Sequence, residues 1–287
     1  MIQYLLTIFT MKFLSLPSIK LLIGIFIYLC SFSGHTETIN DAHFNHPGGV
    51  VEIFIDKKNT FLPEVQYGIN EPTIIEEQNN WRILIGLGLD TIPGEYLIYL
   101  KHNVDDASSE HIKFFVEQKN YPIKVVEKKS SKTIKKAHST LTKLDFENTQ
   151  QPNLPLNLPV KGNWDLGFGT IFYNKKSKKT NIQNQISLET SSIINVRSPE
   201  NALVSNIVTE KDNSSTVFLD HGRGLYSVIS GITDLNIEIG NGVLSGAVIG
   251  KVTPTANFKK STVATNTLTW QCILNGIYVN PAILTQL

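Results

Sequence analysis

The C-terminal stretch beginning at Thr216 constrains this chain most. Two pieces of it are TVFLDHGRGLYSVISGITDLNIEIGNGVLSGAVIGK (residues 216–251) and LTWQCILNGIYVNP (residues 268–281). Apolar residues alternate with small or polar ones, and glycine recurs at tight spacing. That pattern predicts short strands joined by hairpins. A strand is expected over 216–219, a turn over 221–224 and a returning strand over 225–230. Two short pieces follow around Gly246 and Gly250. A further strand is expected over 268–274, with Asn275-Gly276 as a tight turn of the primed type and 277–279 as the strand back. Asn-Gly suits such a turn because both central residues need positive φ.

The N-terminal half carries similar punctuation. GVVEIFID (residues 49–56) alternates, WRILIGLGL (81–89) is an apolar run, and DTIPG (90–94) reads as a turn before a strand over 95–100. HIKFFV (111–116) alternates again. Several short strands with turns between them predict a small β-sandwich. The sequence therefore reads as all-β, in two domains, which a length of 287 residues allows.

The ends and joints of these domains are marked by composition. KLLIGIFIYL (20–29) is apolar, short for a membrane span and preceded by Met11-Lys12 and Lys20. It predicts a secretory signal over residues 1–36, with Met1 or Met11 as the start. The competing reading is an uncleaved N-terminal anchor. Residues 37–123 form the expected sandwich. Residues 124–158, rich first in Lys, Ser and Thr and then in Asn, Gln and Pro, read as a linker, and 159–287 as the second domain. The lysines there, and those of a second basic loop at 174–179, read as solvated segments rather than as contacts with an anionic membrane or wall polymer.

Some chemistries are disfavoured at once. A net charge of +1 gives no field for polyphosphate, so no nucleic-acid partner is expected. Cys30 falls in the signal and Cys272 stands alone in an apolar strand, so no internal disulfide is expected after cleavage and Cys272 reads as a buried small hydrophobe. His43 and His46 have no third ligand at matching spacing and read as solvated loop histidines.

TVFLDHGRGL, the Val243–Val252 run and the final W…LNG…VNPA block closely resemble the lysostaphin-type (LytM-like) zinc endopeptidases that cut peptide cross-links in bacterial cell walls. PVKGNWDLGFGTIF resembles that family's opening strand and turn, and VRSPENALV a segment entering its core. The N-terminal order of strands resembles the immunoglobulin-like domain preceding the catalytic domain in some Gram-negative members. The resemblance implies a LytM-like (duplicated hybrid motif) antiparallel sheet domain after the sandwich, in a protein of the periplasm or cell envelope.

The resemblance also implies a zinc site, and there this sequence departs from it. The family draws its ligands from a His-x-x-x-Asp segment and the second His of a His-x-His strand, with two assisting histidines. The matching positions here are Gln185 and Glu189, then Thr267-Leu268-Thr269, with Thr267 at one assisting position, and Gly231 at the other. From residue 139 onward the only histidine is His221, in the turn whose histidine is not a ligand in the family. Zinc favours His and Cys donors, so zinc is expected to be lost, with no catalytic or metal residue left. TPTANFKKSTVATN (253–266) replaces the family's Gly-rich loop, so a remodelled groove is expected. Gln185, Glu189, His221, Gly231, Thr267 and Thr269 are its expected residues.

The expected function is that of a catalytically inactive LytM-like protein. It would bind peptidoglycan or regulate a cell-wall amidase or other hydrolase, and would meet a membrane only through an uncleaved signal. Two alternatives are an active zinc endopeptidase with a non-standard ligand set, for example Glu189 with His221, and a structural interaction protein of the envelope.

Overall fold

Alternation of apolar and polar residues becomes strands wherever one face can be buried. A computed structural model describes residues 44–58, 61–68, 72–102, 110–126, 148–210, 212–254 and 266–287. All of them fall in one unit, residues 42–287. The expected signal, His43, most of the linker and most of the 253–266 loop lie outside the described residues.

The first strands are β1 (Val50–Asp56), β2 (Glu64–Gln66), β3 (Thr73–Glu76), β4 (Asn80–Gly86), β5 (Gly94–Lys101) and β6 (Glu110–Val116). They form two antiparallel sheets, ordered β1-β4-β3 and β2-β5-β6. Val51, Ile55, Trp81, Ile83 and Ile85 of one sheet share a core with Val65, Ile98, Leu100, Phe114 and Val116 of the other. This is the expected sandwich. β4 is apolar without alternation because its other face is also covered. Leu84, with Val50 and Ile75, belongs to the second core.

Next come β7 (Ile123–Val126), β8 (Ile171–Asn174) and β9 (Lys179–Ile182), then β10 (Ile186–Thr190), β11 (Ile194–Arg197), β12 (Ala202–Thr209), β13 (Ser215–Gly222) and β14 (Leu225–Ile232). The chain ends with β15 (Gly242–Val243), β16 (Val248–Val252), β17 (Asn266–Leu274), β18 (Ile277–Val279) and a single helical turn, α1 (Pro281–Leu284), capped by the Asn280 side chain. An antiparallel sheet runs β10-β17-β14-β13-β12-β15, with β18 on β17. β11 pairs with β16, and β7-β8-β9 is a separate small sheet. Among the described residues, no helix is long and apolar enough to cross a membrane.

Both expected hairpins form. Asn275 and Gly276 have φ of 48° and 80°, and Arg223 and Gly224 have φ of 50° and 78°. The first turn is tighter than the sequence suggests, since β13 continues through His221 and Gly222. Both ends of the expected linker are built into the unit. Residues 123–126 are β7, and Leu156 is buried, its N–H donating to the Leu284 carbonyl at 2.8 Å. The opening stretch of the second domain is not one long strand. Asp165 makes an isolated bridge to Ser187, and residues 171–174 join the small sheet as β8.

Candidate functional site

The large sheet has two unlike faces. Leu188, Leu268, Trp270, Cys272, Leu225, Ile229, Val217 and Leu219 lie on the inner face, in the main core. The opposite face carries Ser187, Glu189, Thr267, Thr269, Ser230 and Thr216, since side chains alternate along each strand.

Register assembles these residues. Glu189 stands opposite Thr267, and Ser187 opposite Thr269. Thr269 is opposite Ser230, and Ser230 opposite Thr216. Ser187, Thr269, Ser230 and Thr216 therefore form one rung of hydroxyls across four neighbouring strands. The Thr216 hydroxyl donates to the Ser230 oxygen at 2.8 Å. Glu189 and Thr267 are exposed at the rim. Ser187, Ser230 and Thr216 were not expected from sequence. Their hydroxyls are unremarkable until the strand register is known.

Gln185, half-buried, directly precedes β10, and its carbonyl accepts from the Gln183 side chain at 3.0 Å. Gln185 and Glu189 lie two residues either side of Ser187, which faces Thr269. Positions offset by two across a strand pair are about 7–8 Å apart, a span that long side chains bridge. Gly231 has φ of 94°, and a Cβ there would run into the Thr267 carbonyl oxygen. A side chain at this position is excluded by the backbone itself.

His221 is not part of this face, which corrects its inclusion in the groove. It is fully buried on the core side. Its Nδ1 lies 3.0 Å from the Asn201 carbonyl and its Nε2 2.9 Å from Ser227 Oγ, which also accepts the Trp270 indole N–H at 3.1 Å. With Nδ1 donating to the carbonyl, Nε2 accepts from the Ser227 hydroxyl, and every polar atom of the cluster is used. The reason is strand parity: residues 217, 219 and 221 share one face of β13. Glu189 and His221 lie on opposite faces, three strands apart, or about 14 Å at ordinary strand spacing, so they cannot close on one ion.

Burial lowers the His221 pKa from 6.5 to about 4. A base whose folded pKa is depressed stabilises the fold above its unfolded pKa, and that stability is lost as pH falls through the folded value. Stability should therefore fall between pH 6.5 and 4, by up to about 3 kcal/mol from this residue. Denaturant melts of wild type and His221→Gln across that window check it. The variant should show a shallower slope, and equal slopes would rule it out. Burial also pushes the Cys272 thiol up, which keeps it protonated and unreactive. His46 corrects the expectation of a solvated loop residue. It is buried, with Nδ1 2.9 Å from the Pro47 carbonyl and Nε2 2.9 Å from the Lys119 ammonium.

No family model matches the sequence, and no curated protein matches it. Among solved structures, a protein of Pseudomonas aeruginosa assigned to peptidase family M23 superposes with a TM-score of 0.62 at 22% identity, over 87% of this chain and 98% of that one. The fold is therefore that of the LytM-like M23 peptidases. The catalytic domain of lysostaphin from Staphylococcus simulans is also similar, at 13% identity over 47% of this chain and 90% of that one, with a TM-score of 0.30. A structure of the SpoIIQ–SpoIIIAH pore-forming complex matches at 17% identity over 48% of this chain and 90% of that one, with a TM-score of 0.31.

The residues do not fit the zinc ion this fold implies. Of Gln185, Glu189, Thr267 and Thr269, only Glu189 offers a charged donor; the others are an amide and two hydroxyls. Among the described residues, no three His, Cys, Asp or Glu side chains converge as a metal site requires.

Proposed function

We propose that this chain is a LytM-fold protein without zinc peptidase chemistry, whose hydroxyl-lined sheet face binds an extended peptide of the bacterial cell wall. The peptide would be a peptidoglycan stem or a segment of a wall hydrolase that the protein regulates. The observation that carries this reading is the rung Ser187, Thr269, Ser230, Thr216, flanked by Glu189 and Thr267. It occupies the face where the family resemblance would put metal ligands. Hydroxyls both donate and accept, so they can satisfy an extended backbone. Glu189 adds a single negative charge for an ammonium group. The location in the periplasm or envelope, the division at residues 36, 123 and 158, and the lack of a cofactor belong to the same reading.

Co-sedimentation with purified sacculi tests it. Thr269→Arg and Ser230→Arg should together lower retention at least tenfold, with the melting temperature unchanged. A regulator of a hydrolase would instead raise the rate of sacculus digestion by an added amidase, and the same pair of substitutions should abolish the increase. Chelator-sensitive release of muropeptides by the protein alone would sink the proposal. So would retention and stimulation both at background.

A further inference from the structure

The small sheet β7-β8-β9 turns apolar side chains outward. Its register puts Ile123, Ile171 and Ile182 in one rung, and Val125, Tyr173 and Thr180 in another on the same face. Ile123 is 68% exposed, Val125 54%, Ile182 45% and Tyr173 38%. Four neighbouring large apolar residues on one exposed sheet face are not the scattered exposure of an ordinary surface.

A fixed cationic turn stands at one end of that face. Lys175, Lys176 and Lys178 lie in the β8–β9 turn, Lys179 opens β9, and all are exposed. Asn174 is buried, and its Oδ1 accepts the backbone N–H of Lys176 and of Ser177, each at 3.0 Å. The Lys175 N–H donates to the Val126 carbonyl at 3.1 Å, which ties the turn to β7. From residue 166 to 188 the sequence contains no Asp or Glu. Among the described residues, none of the four lysines makes an ion pair.

We propose that this face docks on the surface of an anionic phospholipid bilayer, with the aliphatic and tyrosyl side chains at the acyl boundary and the lysines among the headgroups. Charge and apolarity together select this occupant. A wall polyanion would use the lysines and leave the isoleucines in water. A second copy would bury the isoleucines but set four lysines against four. A bilayer offers anionic charge over an apolar layer, the combination that interfacial segments exploit. The lysines thus gain a role that the sequence alone assigned to solvent.

The test uses the full chain and two kinds of large vesicle, phosphatidylcholine alone and phosphatidylcholine mixed with phosphatidylglycerol. The apolar 20–29 stretch is common to all variants, so the readout is the ratio of binding to the two vesicles. Wild type should prefer the anionic vesicles at least tenfold at low salt and lose the preference at high salt. Each lysine near an anionic surface is worth about fivefold, so replacing all four with Gln should cut the ratio at least tenfold. Ile123→Ser with Val125→Ser should weaken anionic-vesicle binding at least fivefold while leaving the salt dependence intact. Circular dichroism and melting should show both variants folded. A ratio near one, or variants that bind like wild type, would overturn the proposal. Lysine-dependent retention on sacculi without vesicle binding would overturn it in favour of a polyanion. A change in solution mass for the serine variant would overturn it in favour of self-association.

Discussion

Replacing Gln185 and Thr269 with His, while keeping Glu189, is expected to raise zinc affinity far above that of the unsubstituted chain. The two positions and Glu189 bracket one point on the sheet. Ser187 faces Thr269, and residues 185 and 189 lie two places either side of it. Structural zinc sites with four ligands bind with about 10–16 kcal/mol, or roughly 3 kcal/mol for each ligand if divided evenly. Two added imidazoles are then worth on the order of 10⁴ in affinity. A gain of at least about a hundredfold should survive imperfect convergence on that scale. Competition with a chromophoric chelator measures it, and Glu189→Ala in the double variant should reverse much of the gain. If the unsubstituted chain already holds one tightly bound zinc, the reading of lost metal chemistry fails. If the folded double variant gains nothing, the pairing of β10 with β17 is not as described.

The assisting position gives a different outcome. Gly231 cannot carry a histidine as Gln185 and Thr269 can. Its φ of 94° and the Thr267 carbonyl beside its Cα leave no room for a side chain. The positions thus differ in kind: Gln185, Thr267 and Thr269 lie on or beside paired strands and accept a new side chain, whereas Gly231 is fixed by the backbone.

What the sequence disclosed follows from how local each feature is. The Asn275-Gly276 hairpin was legible because turn chemistry and both strands lie within a few residues. The turn after His221 is shorter than its sequence suggests because β13 runs on through Gly222, and Arg223, a residue that does not advertise positive φ, opens the two-residue loop. The face of His221 could not be read from hydrophobicity. β13 is buried on both sides, with Phe218 on the outer face and Val217 and Leu219 on the inner, so alternation gave no contrast between in and out. The hydroxyl rung was hidden for another reason. It depends on how four strands from distant segments align, and alternation within a strand fixes faces but not the partner's offset. The small sheet was missed outright. Its parallel pair joins residues 123–126 to 171–174 across the stretch read as a linker, and no local signal marks such a crossover.

The faces themselves can be tested at Trp270, where the second large effect is expected. Trp270→Ala should cost about 3–5 kcal/mol, the usual range for emptying a large aromatic site in a core. Trp270 is fully buried in the main core, its ring 6.2 Å from that of Trp164 in an edge-on arrangement, and its indole N–H donates to Ser227 Oγ. Truncation removes the ring contacts and leaves Ser227 and His221 beside a void. In a unit of this size each kcal/mol shifts the melting temperature by roughly 2–4 °C, so a drop of roughly 6–20 °C is expected. Trp270→Phe keeps most of the packing and loses the hydrogen bond, so it should cost only about 1–2 kcal/mol. On the neighbouring outward position, half-buried Thr269→Ala should change stability by less than about 1 kcal/mol, since it empties no core site. The contrast between residues 269 and 270 is the decisive quantity. If the two substitutions cost alike, the sheet does not separate a packed inner face from an open outer one. Ser187, Thr269, Ser230 and Thr216 would then have no free surface on which to receive a peptide.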